Sequence, residues 1–152
     1  MITDEGPKVI EFNVRFGDPE TQVLLPLLDT DPIKLIYACA TNTLEPEAVK
    51  FKNESACVVV LASQGYPGTY PSGEIIDFPN NTPENIHVIH AGTRLDDEGK
   101  ILTNGGRVLG VTALGKDLET AAHDAYAYCD QVRFPSVYFR RDIGARELRR
   151  LV

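Results

Sequence analysis

Long apolar runs are missing from this 152-residue chain. None approaches the roughly 20 residues that a membrane-spanning helix needs, so no membrane partner is expected. Met1-Ile2-Thr3-Asp4-Glu5 has no basic region followed by an apolar one, and no secretory leader is read there. Positive charge is also in short supply. Fifteen Lys and Arg stand against 22 Asp and Glu, for a net charge of −7. That balance argues against nucleic acid or an anionic membrane surface as a partner. Cysteine is scarce: Cys39, Cys57 and Cys129 are widely spaced and odd in number. A disulfide framework and a close-spaced zinc site are both disfavoured, and three reduced, buried thiols in a cytoplasmic protein are expected. Neither a Walker-type loop nor a G-x-G-x-x-G occurs. Ser63 and Ser72 have no adjacent base signature, which leaves nucleophilic serine chemistry unsupported. Internal repeats and low-complexity tracts are absent as well.

What is present begins with Val9-Ile10-Glu11-Phe12-Asn13-Val14-Arg15-Phe16. Read as a strand, it places Ile10, Phe12, Val14 and Phe16 on one apolar face and Glu11, Asn13 and Arg15 on the other. A carboxylate, an amide and a guanidinium on one face are costly to bury unless they bind something. Glu11 and Asn13 offer the hard oxygens that Mg²⁺ takes, and Arg15 offers a fork for a carboxylate or phosphate. The competing reading is a solvated strand face with an incidental ion pair.

Asp4-Glu5-Gly6-Pro7 is a turn signal, so the strand is expected as one arm of a hairpin. After it, Gly17 permits a change of direction, Asp18 is a candidate N-cap and Pro19 suits a first helical position. A helix is expected from Pro19 to about Leu28, kinked or divided by Pro26. Asp31-Pro32 repeats the signal ahead of Ile33, Ile36, Tyr37, Ala40 and Leu44 at helical spacing, which predicts a helix to about Thr43. Leu44 to Glu54 has no clear period and is the best boundary candidate.

Strand texture follows. Ala56–Ala62 reads as a buried strand, ending in the Gly-, Pro- and Tyr-rich loop Gln64–Gly73. Glu74–Phe78, Ile86–Ala91 and Arg107–Leu114 are further strand candidates. Asp96-Asp97-Glu98-Gly99 is a hairpin turn between Thr93–Leu95 and Lys100–Thr103. Asp117 can cap a helix with Leu118, Ala121, Ala122, Ala125, Cys129 and Val132 on one face. Asn104-Gly105-Gly106-Arg107 sets free amides beside a cation, either a phosphate cradle or simply a tight turn. His87 and His90 would face opposite sides of a strand, which disfavours a shared metal; His90 is expected as a hydrogen-bonded core histidine. The arginines from Tyr138 to Val152 are read as a solvated helix face.

Taken together, several stretches resemble the phosphoribosylamine–glycine ligase (glycinamide ribonucleotide synthetase) family, of the ATP-grasp superfamily. They are Gly6–Gln22, with its Val-Ile-Glu-Phe-Asn-Val-Arg-Phe-Gly-Asp-Pro-Glu core, then Ala62–Gly68, His90–Thr93, Thr103–Leu109 and Arg140–Gly144. They keep the family's order over essentially the whole chain; Gln64 departs from the lysine of many relatives. The resemblance implies an α+β chain. Residues 1–46 would be the end of an ATP-grasp domain, a strand plus helices, and residues 47–152 a small, mostly-β C-terminal domain with one main helix. It implies an enzyme of purine biosynthesis that joins glycine to 5-phosphoribosylamine through an acyl phosphate, with ATP as co-substrate. By position, Glu11 and Asn13 would be Mg²⁺ (or Mn²⁺) ligands and Arg15 catalytic. Gln64, Gly65, Tyr66, Gly105, Gly106 and Arg107 would bind substrate. The missing N-terminal part of the same enzyme would be a partner, and the chain alone is not expected to turn over. The alternatives are another ATP-grasp carboxylate–amine ligase, which would not need the Gly-Tyr-Pro-Gly and Gly-Gly-Arg loops, and a non-catalytic remnant or binding module.

Overall fold

A computed structural model describes residues 1–150. The chain opens with a hairpin of two-residue strands, β1 (Ile2–Thr3) and β2 (Gly6–Pro7), turned at Asp4-Glu5, so a turn falls within the expected stretch but its second arm is Gly6–Pro7 and not Val9–Phe16. Two helices follow, α1 (Thr21–Leu27) and α2 (Pro32–Ala40), then a 3₁₀ turn at Pro46–Ala48. The remainder alternates strands and one long helix: β3 (Ser55–Ser63), β4 (Ile86–His90), β5 (Thr93–Leu95), β6 (Ile101–Thr103), β7 (Arg107–Gly115), α3 (Leu118–Cys129), β8 (Val137–Tyr138) and α4 (Ala145–Leu148). The fold is mixed α and β.

The centre is a four-stranded antiparallel sheet in the order β4-β7-β3-β8. Its two inner strands read as near-continuous apolar runs instead of alternating because helices cover both faces. Val59 and Val111 share a fully buried cluster with Ala121, Ala125 and Cys129 of α3. Thr112, paired to Val58, points the other way and touches α1. The alanines of α3 present little bulk, which lets the helix lie close on the sheet, and Asp117 caps it by accepting from the Thr120 amide at 2.8 Å. The carboxyl of Asp117 sits below its ordinary range because it accepts from Thr120. Val132 lies beyond the end of this helix, yet it is fully buried in the same cluster.

Several expectations need correction. Val9–Phe16 is not a strand: it runs unpaired through solvent, with Phe12 79% and Val14 89% exposed. An extended segment becomes a strand only when another backbone takes its amides and carbonyls, and none of the described residues does so. Asp18 is not an N-cap, because a turn intervenes and the helix starts only at Thr21, with Glu20 in the capping position. α1 is a single short helix that holds Pro26 in its last turn. α2 ends at Ala40, short of Thr43. Asn42 adopts a positive φ of 55°, and the amides of Asn42 and Thr43 return to the Cys39 and Ala38 carbonyls. The apolar residues of α2 do not pack: Ile33, Ile36 and Tyr37 are all more than half exposed, and Cys39 is exposed, whereas Cys57 and Cys129 are buried as expected. Glu74–Phe78 is no strand but a segment held by single bridges, Ile75 to Leu102 and Asp77 to Arg133.

The expected boundary is no free linker. Lys52 donates to the Leu27 carbonyl at 2.8 Å, Asp29 to that of Lys50 at 2.9 Å and Thr30 Oγ1 to that of Ala48 at 2.7 Å. The region after α2 is thereby tied back to the end of α1. Beyond β8 the tail forms a single helical turn, α4, and not a long arginine-bearing face. Arg140 pairs with Asp142, Arg141 with Asp130 and Arg150 with Glu147. Leu151 and Val152 of that expected face lie outside the described residues.

Candidate active site

Glu11, Asn13 and Arg15 share a direction even without a sheet to impose it. All three line one open recess of about 570 Å³, together with Gly17, Asp18, Glu20 and Leu24. Asn13 Nδ2 donates to Glu11 Oε1 at 2.9 Å, which sets the amide and the carboxylate side by side. The donor set is two hard side-chain oxygens in an exposed recess. This fits a cation that keeps part of its water shell and shares substrate oxygens, as Mg²⁺ does; it is too small for an all-protein cage. Among the described residues no cluster of three or more His, Cys, Asp or Glu could hold a metal. His87 and His90 are both exposed; the His90 ring lies tilted against Phe78, with centroids 5.8 Å apart, and bonds Thr93 Oγ1 at 3.1 Å, so it is hydrogen-bonded but not a core residue.

A second group of residues meets at the start of β7. The loop after β3 is held at its root, where the Ser63 amide donates to the Gly106 carbonyl at 2.8 Å and that of Gln64 to Ser136 at 2.7 Å. Within it, Gly68 bonds back to Gly65 at 2.7 Å, and Gly65 takes a φ of +102° that suits glycine. Tyr66 then lies directly over Gly106, where a Cβ would stand 2.0 Å from the ring. Only glycine leaves room for that contact. Tyr66 also meets Tyr70 edge-on, with ring centroids 6.1 Å apart. Tyr66, Gly105, Gly106 and Arg107 are thus gathered on one corner of the sheet. Gln64 leads into this corner but is exposed.

The two groups are joined by one ion pair. Arg107 Nη2 lies 2.8 Å from Asp18 Oδ2, and Nη1 donates to the Asp18 main-chain oxygen at 3.4 Å. Beside Arg107 a largely apolar pocket of about 460 Å³ opens between β3 and the tail, lined by Pro19, Val58, Val60, Tyr66, Phe139 and Arg140, among others. Arg140 is held by a two-pronged contact to Asp142, at 2.9 and 2.8 Å, and this contact keeps the Asp142 carboxyl below its ordinary range. Reasoning on the sequence missed Asp18 as a site residue because its place before Pro19 reads as a cap. The nearness of Asp18 to Glu11, Asn13 and Arg15 in the chain was the available signal.

Comparison with known proteins identifies the family. Residues 56–146 match the family described as phosphoribosylglycinamide synthetase, C domain. A phosphoribosylamine–glycine ligase of Synechocystis is 51% identical over 151 residues, which cover 97% of this chain and 36% of that protein. The chloroplastic phosphoribosylamine–glycine ligase of Arabidopsis thaliana is 49% identical over 94% of this chain and 27% of its own length. The crystal structure of phosphoribosylamine–glycine ligase from Thermotoga maritima matches with a TM-score of 0.78 and 35% identity, over 94% of this chain and 35% of that one. The chain thus spans about a third of the length of these relatives. It belongs to the phosphoribosylglycinamide synthetase family, and residues 56–146 are its C domain.

Proposed function

We propose that this chain supplies one wall of the active site of an ATP-dependent ligase that joins glycine to 5-phosphoribosylamine in purine biosynthesis. The observation that carries the reading is the single recess lined by Glu11, Asn13 and Arg15 and tied through Asp18 to Arg107. Residues 1–46 are read as the end of an ATP-grasp domain and 47–152 as the C-terminal domain. In support, the family match at 56–146 falls wholly in the second stretch.

In this reading the γ-phosphoryl of ATP passes to the glycine carboxylate, giving ADP and an acyl phosphate. The amine of phosphoribosylamine then attacks the acyl carbon and displaces phosphate. Glu11 and Asn13 would hold Mg²⁺ or Mn²⁺, which when bound neutralises charge on the nucleotide phosphates. Arg15 directs a fixed positive charge toward the phosphoryl being transferred, where charge develops. Arg107, with the amides of Gly105 and Gly106, faces the phosphoribosylamine side, and Tyr66 and Gln64–Gly65 border it. The reduced cysteines suit a cytoplasmic setting. Because the Glu11–Arg15 segment is unpaired and exposed, the chain alone would not turn over.

The test is a chimera in which this chain replaces the matching third of the Synechocystis ligase. Glycine- and phosphoribosylamine-dependent ADP release is expected from it and is expected to be lost in its Glu11→Gln form. An inactive, folded chimera would overturn the assignment. Product formation by the isolated chain would overturn the claim that it depends on further sequence.

A further inference from the structure

We propose that Asp18 is a positioning residue that holds the Arg107 guanidinium ready for an anionic group of the substrate. The inference rests on the reading above, in which Arg107 takes that anion. Asp18 engages Arg107 twice, through its carboxylate at 2.8 Å and its main-chain oxygen at 3.4 Å. These contacts occupy Nη1 and Nη2 but leave further N–H donors of the guanidinium for a ligand.

Asp18 is itself held. Its Oδ1 accepts from Gln22 Nε2 at 2.9 Å, and the Gln22 main-chain carbonyl accepts from Thr112 Oγ1 at 3.0 Å. Thr112 belongs to β7, the strand that Arg107 begins. One end of the tether is therefore fixed in the sheet and the other grips the arginine. Gln22 keeps Oε1 buried with no hydrogen-bond partner among the described residues, a costly arrangement, while it directs its amide hydrogens at Asp18.

Stability does not account for this ion pair. The side chains of Arg107 and Asp18 are 42% and 55% exposed, and pairs so solvated contribute little to folding. An unheld arginine, in contrast, would lose its rotamer freedom when a ligand arrives, and prior ordering removes that penalty from binding. Asp18 also lines the Glu11–Asn13–Arg15 recess, so the same residue sets the placement of the two halves of the site relative to each other.

Ribose 5-phosphate titrated into this chain, followed through the Arg107 Nε–Hε, Gly105 and Gly106 NMR signals, tests the proposal. Asp18→Asn keeps an acceptor for Gln22 and removes the charge. It is expected to weaken binding about three- to tenfold, the worth of a partly exposed charge-assisted contact, with Tm unchanged. Asp18→Glu is expected to recover part of the affinity. Wild-type-like binding by Asp18→Asn would overturn the positioning role, and so would a loss that merely tracks a fall in Tm. Tighter binding would overturn it too, since Asp18 would then be a competitor for Arg107. If the unmodified chain leaves those signals unmoved, the phosphate-side reading of Arg107 fails, and the proposal falls with it.

Discussion

Thr112 Oγ1 donates a hydrogen bond to the main-chain carbonyl of Gln22 at 3.0 Å, and the need for it originates four residues further along α1. In a regular helix that carbonyl would accept from the amide of residue 26. Position 26 is proline, which has no amide hydrogen to give. A buried hydroxyl on the sheet replaces the missing donor, and a helix that holds its own breaker is fastened to β7. Thr112→Val removes the donor while nearly preserving shape. The expected loss is about 1 kcal/mol of stability, read as a lower denaturant midpoint with an unchanged slope.

Gly106→Ala places a methyl group where the Tyr66 ring lies. Overpacking of this kind costs about 1–3 kcal/mol, and the loop after β3 should lift from the sheet. Tyr66→Ala in the same chain should relieve much of the penalty. A double-mutant cycle in thermal unfolding measures this, with a double variant less destabilised than the sum of the two single ones.

The thiols should divide by burial. Cys39 is exposed, so a thiol reagent at neutral pH should modify one residue in the folded chain and three after denaturation. Burial pushes the Cys129 thiol from 9.0 up to about 12, with Asp130 adding to the shift, and burial raises Cys57 as well. A group whose folded pKa is raised contributes stability fully below its unfolded pKa and loses it as pH climbs. Denaturation midpoints should therefore be insensitive to Cys129 below about pH 8 and should decline between 9 and about 12. The decline should be shallower in Cys129→Ala.

Mn²⁺ offers a reading of the recess that needs no turnover. Paramagnetic broadening is expected first at Glu11, Asn13 and Arg15, with β3 and β7 unaffected. Glu11→Gln removes the carboxylate charge and should abolish the local effect, whereas broadening that persists in this variant would place the ion elsewhere.

The exposed side chains of Ile10, Phe12, Val14 and Phe16 amount to a contiguous apolar edge. Such an edge should bind a hydrophobic dye and promote self-association. Phe12→Ser with Val14→Ser should lower dye fluorescence without moving Tm, because neither side chain touches the core.

Local signals in the sequence proved sufficient wherever a structural element depends on its own residues. Asp31 and Asp117 cap their helices, Asp96 shapes its hairpin turn, and the apolar runs of β3 and β7 mark the centre of the sheet. The family, too, could be read from motifs spread along the chain. Strand-like alternation in the sequence put Glu11, Asn13 and Arg15 on one side, and they do line one recess, although the segment is no strand and bends at Arg15. Only the tertiary structure decided what that segment packs against. Strand pairing and burial belong to a neighbour and not to the segment, so Val9–Phe16 is unpaired, with a bend at Arg15, and α2 keeps its apolar face in solvent. The same holds for Asp18. A carboxylate before Pro19 looks like a cap in one dimension, and its partner, Arg107, lies 89 residues away. No local pattern encodes such a contact; it arises because α1 packs across β3 and β7 and carries Asp18 to the corner where β7 begins.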